Sequence, residues 1–233
     1  KIGGLDALGG PKTDSMYHAG WAWAGNTPFH HTKLVASHFG GTRNPMVISW
    51  PKGIQPDRTP RAQFSHVNDI VPTLYEVLGI QAPQVVDGFR QDPIDGTSLA
   101  YTFADAKAPT RKKVQYFDNN GSRAIYEDGW VAATFGPLVP WLPGAPGLAE
   151  WDSAKDQWEL YDLSEDWSQA NDLAASNPRK LEEMKLLFLL DDPALTWEHR
   201  ADPDWLLGGK TIVGALLGGW GAVEWIKRRT GVV

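Results

Sequence analysis

"NPMVISWP", residues 44–51, is a short apolar run between turn formers, and its reading decides the fold. Met46 to Trp50 does not alternate strictly between apolar and polar, so it fits a strand buried on both faces, as in a parallel sheet. Downstream, "SHVNDIVPTLYEVLGI" places Val67, Ile70, Val71, Leu74, Val77 and Leu78 at helical spacing, with Gly79 as the stop. Met46 to Ile80 is therefore expected to form a strand, a loop and an amphipathic helix. Residues 81–113, rich in Pro, Asp and Gly, read as a long loop with "DGTSLAYTF" as a short helical turn.

From residue 114 the period changes. "KVQYFD", "SRAIYED", "WVAATF" and "QWELYDL" are short, aromatic and β-branched, as in an antiparallel meander. "SNPRKLEEMKLLFLL" follows, with Ser176 or Asn177 as N-cap and Pro178 at the first helical position. The expected fold class is α/β: part of a parallel sheet, then a small antiparallel sheet with a packed helix. The expected divisions are 1–112, 113–195 and an unplaced tail, 196–233.

Composition narrows the function. The chain has 233 residues, a formal charge of -6 and no cysteine. The acidic balance and the lack of long Lys/Arg runs argue against a nucleic-acid groove, whose affinity rests on neutralising phosphates. A local site can still attract a small anion. Without cysteine there is no disulfide, thiolate metal site or cysteine nucleophile. "KIGGLDALGGPKTD" has no signal-peptide features, and the compartment stays open between bacterial cytoplasm and periplasm. Near the end, Lys210 and Glu224 confine the apolar run to 13 residues, short of the roughly 20 that a spanning helix needs, which argues against a membrane role.

Upstream of the apolar run, "TPFHHTKLVASHFGGTR" gathers Lys33, His30, His31, His38, Gly40, Gly41 and Arg43. Together with the segments at 64–80, 116–135 and 158–174, this stretch resembles the C-terminal part of the catalytic region of bacterial arylsulfatases, type I sulfatases of the alkaline phosphatase superfamily. The likeness runs in consistent order from about residue 20 to about residue 190. It implies a parallel α/β domain followed by a small antiparallel one, and hydrolysis of a small sulfate ester. It also implies that Lys33 is the catalytic and substrate-binding lysine that points at the sulfate group. A fixed ammonium suits that task, because negative charge builds on the bridging oxygen as the S–O bond breaks.

His38 has two readings, a structural imidazole or a substrate-binding hydrogen bond to the anion. His30 and His31 have no ligand spacing with a third residue and read as exposed. Gly40, Gly41 and Arg43 read as a turn and its brace, with glycine allowing positive φ. "DNNG", Asp118 to Gly121, reads as a hairpin turn rather than a metal pair. "DDP", Asp191 to Pro193, reads as a helix stop, and "SNPRK" as a helix start. The resemblance implies calcium and a formylglycine nucleophile in the complete enzyme, yet neither the nucleophile signature nor the metal aspartates occur in this sequence. The chain is thus expected to be a segment, inactive alone, whose partner is the missing N-terminal half of the same protein. The alternatives are a phosphonate or phosphodiester hydrolase of the same superfamily, and a non-catalytic binding module using some of the 12 tryptophans.

Overall fold

The computed structural model describes residues 3–13, 17–137 and 150–191. The chain divides into two compact units, 1–173 and 174–233. In the first, helix α1 (Ala19–Asn26) and the short α2 (Phe39–Thr42) precede α3 (Ile70–Leu78). A two-stranded ribbon, β1 (Val85–Val86) with β2 (Phe89–Arg90), and α4 (Tyr101–Ala104) follow. An antiparallel meander then runs β3 (Val114–Asn119), β4 (Ser122–Glu127), β5 (Trp130–Thr134), β6 (Glu159–Asp162), with strands adjacent in that order. The architecture is mixed α/β with antiparallel sheets.

Turn chemistry explains the hairpins. Asn119 pairs with Ser122, so Asn120 and Gly121 form a two-residue loop, and both have positive φ, 53° and 84°. Asp128–Gly129 joins β4 to β5 in the same way, and Asp87–Gly88 joins β1 to β2. Such loops match the twist of paired strands and favour Asn-Gly or Asp-Gly. "DNNG" is thus a hairpin turn. The ribbon at 85–90 lies where the sequence reads as loop, and its Asp-Gly pair is the signal that marks it.

The meander supplies the core. Ala124, Tyr126, Val131 and Ala133 cluster with Phe39, and Phe29, Phe64, Phe117 and Leu163 pack around them. Phe64 stacks on Tyr126 with the rings 6° apart in plane. Strand alternation sends Ile125, Ala132 and Leu160 to the opposite face of the sheet, where they are also buried.

Helix α3 ends where expected. Gly79 adopts φ 65°, and its N–H and that of Ile80 bond back to Glu76 and Tyr75. Its apolar face is open: Ile70, Val71, Leu74 and Leu78 are exposed, while Thr73 is buried. The run Met46 to Trp50 corrects the expected strand. It belongs to no ladder, Val47 is 94% exposed, and no parallel pairing occurs among the described residues. A strand buried on both faces needs a neighbour on each edge, and the described chain offers it none. Instead the run and α3 wall an open apolar groove of about 480 Å3, lined also by Leu99 and Phe103.

A buried ion pair joins this region to the meander. Asp69 is inaccessible; its Oδ1 accepts from Lys112 Nζ at 3.0 Å and from Thr97 N at 2.7 Å, and its Oδ2 accepts from His66 N at 2.7 Å. His66 and Asp69 thereby form a reciprocal cap at the start of the helical segment.

In the second unit, α5 (Pro178–Asp191) starts at its proline, with Leu181 N bonded to Asn177 O. "SNPRK" is therefore a helix start. Arg179 pairs with Glu183, and Lys185 with Glu182, across single turns of the helix. Asp192 and Pro193 of "DDP" and the apolar tail lie outside the described residues. Among the described residues, no helix is long and apolar enough to cross a membrane.

Candidate functional site

The loop from Pro28 to Arg43 carries the residues singled out from the sequence. Lys33 is exposed, at the corner of a turn closed by Val35 N donating to Thr32 O at 3.2 Å. Leu34, the next residue, has φ 78°. Positive φ is uncommon outside glycine and marks a position that its surroundings must hold.

Three contacts hold it. Asn119 Nδ2, at the β3–β4 turn, donates to Leu34 O at 3.1 Å. Asn26 Nδ2, at the end of α1, donates to His31 O and to Gly40 O. Helix α2 presses on the loop from the other side, where Gly40 N donates to His30 O at 2.8 Å. A Cβ on Gly40 would overlap the carbonyl oxygens of His30 and His31, and one on Gly41 would overlap that of Val35. The two glycines are needed for this close approach. Neither has the positive φ expected of them.

Arg43 is the expected brace. Its guanidinium lies 5.0 Å from the Phe29 ring, 5.4 Å from Phe39 and 5.7 Å from Trp167, and Nη1 donates to Trp167 O.

His38 is buried, with both ring nitrogens placed against partners. Nδ1 is 2.8 Å from Ser37 Oγ and Nε2 is 3.1 Å from Glu159 Oε2. Ser122 on β4 donates its hydroxyl to Ser37 Oγ and accepts from Ser37 N, both at 3.0 Å. Gln169 completes the clamp, accepting from Phe39 N at 2.8 Å and donating to Ser37 O at 3.2 Å. The hydrogen bond from His38 holds the Glu159 carboxyl below the usual range, against the opposing effect of burial. Burial, with Glu159 beside it, raises the Tyr161 hydroxyl.

His31 is not exposed as the sequence suggests. Its ring lies 4.5 Å from that of His38, stacks on Phe135 and meets Trp23 edge-on. Burial, and the neighbouring His38 and His30, lower its pKa to about 4. His30 stays exposed. Phe135 is over a hundred residues away, so no local pattern could announce the contact. Glu159, Ser122 and Gln169 escape sequence reading for the same reason.

An exposed ammonium on a turn held from three sides can meet an anion without prior reorganisation. Among the described residues, no group of three His, Cys, Asp or Glu side chains is placed to hold a metal ion.

Residues 6–80 match the sulfatase family model. The chain is 29% identical over 183 residues to the sulfatase PB10D8.02c of Schizosaccharomyces pombe, covering 77% of this chain but 30% of that protein. The chain thus spans under a third of the length of that relative. Among solved structures it is similar to a protein from the Bacteroides thetaiotaomicron locus for metabolism of multiple glycosaminoglycans, with TM-score 0.46 and 22% identity, covering 66% of this chain and 30% of that one. It is also similar to Ps i-CgsB, with TM-score 0.36 and 17% identity, covering 62% and 31%.

Proposed function

We propose that this chain is the C-terminal part of the catalytic region of an arylsulfatase-like hydrolase. The enzyme cleaves a sulfate ester with water to give an alcohol or phenol and sulfate, and Lys33 holds the sulfate group. The observation that carries this reading is that the sulfatase match, residues 6–80, encloses an exposed Lys33 on a turn fixed from three sides. A lysine merely solvated at a surface needs no such bracing.

Calcium and formylglycine, implied by the resemblance, do not fit the described residues. No cation cluster is found among them and the chain has no cysteine. No step is derived through either group; both would come from sequence N-terminal to this chain. The same upstream sequence is the proposed occupant of the groove. Its strands would pair with the edges of Met46 to Trp50, giving the parallel sheet that this run favours, and would cover α3.

The test is Lys33→Ala in the enzyme that includes the upstream sequence, assayed on an aryl sulfate. Removing a preorganised donor should lower kcat by roughly 100- to 1000-fold with a smaller change in KM. Near-normal kcat in a folded variant would refute the clamp.

A further inference from the structure

The antiparallel sheet reaches the lysine loop through one hydrogen-bonded chain. Ser37 N–H donates to Ser122 Oγ, and the Ser122 hydroxyl donates to Ser37 Oγ. The Ser37 proton then has His38 Nδ1 as its acceptor, which leaves the imidazole proton on Nε2, facing Glu159. Reading the proton from its partners in this way assigns one tautomer. The two serine hydroxyls then each give and receive, in a site where an unsatisfied polar atom would be costly.

The chain ends where the lysine turn begins. His38 caps α2, whose Gly40 and Gly41 lie against the carbonyls of His30, His31, Thr32 and Val35. The His38 ring touches that of His31. Thr32 and Val35, which close the turn around Lys33, are both buried. Any shift of His38 therefore moves the backbone on which Lys33 stands.

We propose that His38 is a positioning residue for Lys33. Held between Ser37 and Glu159, it transmits the rigidity of β4 and β6 to the lysine turn and does not itself touch the substrate. This rests on the sulfatase reading. It explains why a histidine flanks the glycine pair: one ring must accept from a serine on one side and donate to a carboxylate on the other, which Asn and Gln can do only by halves.

The test uses the enzyme with its upstream sequence. His38→Gln carries donor and acceptor on one terminal amide rather than on opposite sides of a ring, so it cannot meet Glu159 and Ser37 together as His38 does, and Glu159→Gln keeps the shape but removes the charge. A misplacement of about 1 Å can cost on the order of 100-fold, so each should lower kcat by about 10- to 100-fold. The deciding measurement is the cycle with Lys33→Ala. Once the lysine is gone, the His38 and Glu159 substitutions should cost less than about twofold more, because their effect passes through it.

Equal losses with and without Lys33, or unchanged kcat in folded single variants, would overturn the proposal. Should His38→Gln fail to fold, Glu159→Gln and Ser122→Ala carry the same cycle. A normal kcat in Lys33→Ala would instead sink the sulfate-clamp reading itself, so the two failures are distinct.

Discussion

Lys112 and Lys113 are neighbours in sequence with opposite expected consequences. Lys112 Nζ lies 3.0 Å from Asp69 Oδ1, and both side chains are buried. Lys113 meets Asp128 at 2.6 Å, but that pair is exposed to solvent. Removing one partner of a buried pair typically costs about 3–5 kcal/mol, because a charge is left behind without compensation. Asp69 would retain two backbone donors, from Thr97 and His66, which places Lys112→Met near the lower end, about 3 kcal/mol. At roughly 2–4 °C per kcal/mol for a chain of this size, Tm should fall by about 6–12 °C. Lys113→Met should cost no more than about 1 kcal/mol, since exposed pairs contribute little. Urea unfolding followed by tryptophan fluorescence measures both. Asp69→Asn with Lys112→Met should lose less than the sum of the single changes, as both charges go together. If Lys112→Met and Lys113→Met give the same midpoint, the buried pair is not what fixes α3 to the start of the meander.

This chain alone should turn over no aryl sulfate and show no tight calcium binding by calorimetry; activity abolished by a substitution within it would contradict the segment reading. It should also bind an apolar dye through the groove at Met46 to Trp50, and Val47→Lys should reduce that binding; an unchanged signal would mean the groove is covered. His31 is held at about pKa 4 when folded against 6.5 when unfolded, so the unfolded chain binds more protons in that window. Stability should therefore be full above pH 6.5 and fall towards pH 4, and His31→Asn should flatten the fall in urea midpoint; parallel curves would exclude His31 as its source. Gly40→Ala should destabilise by about 1–3 kcal/mol through overlap with the loop carbonyls, read as a drop in Tm.

What the sequence made legible was local. The helical spacing from Val67 to Leu78 with its glycine stop, the Asn-Gly hairpin and the proline-started α5 each depend on a few adjacent residues. Met46 to Trp50 reads as a buried strand because composition reports what a segment would bury in company. In this chain it stands exposed and pairs with no strand among the described residues. The glycine pair at 40–41 shows another limit. Glycine can serve positive φ or close approach, and only the position of the His30 and His31 carbonyls distinguishes them. Lys33 was legible as a candidate, but its bracing was not, because Asn119 and Asn26 reach it from opposite directions along the chain.

The bonds that fix the lysine loop span long stretches of sequence: 85 residues from Ser37 to Ser122, 130 from Phe39 to Gln169 and 132 from Ser37 to Gln169. Contacts of such separation form late, since a long loop must close before they stabilise anything. At synthesis rates of roughly 5–20 residues per second, the ribosome needs about 6–26 seconds after making Phe39 before Gln169 exists. Throughout that interval Ser37, His38 and Phe39 have no sheet to hold. A message cut short before the codon for Gln169 would yield a polypeptide that carries Lys33 on a loop lacking the Gln169 clamp.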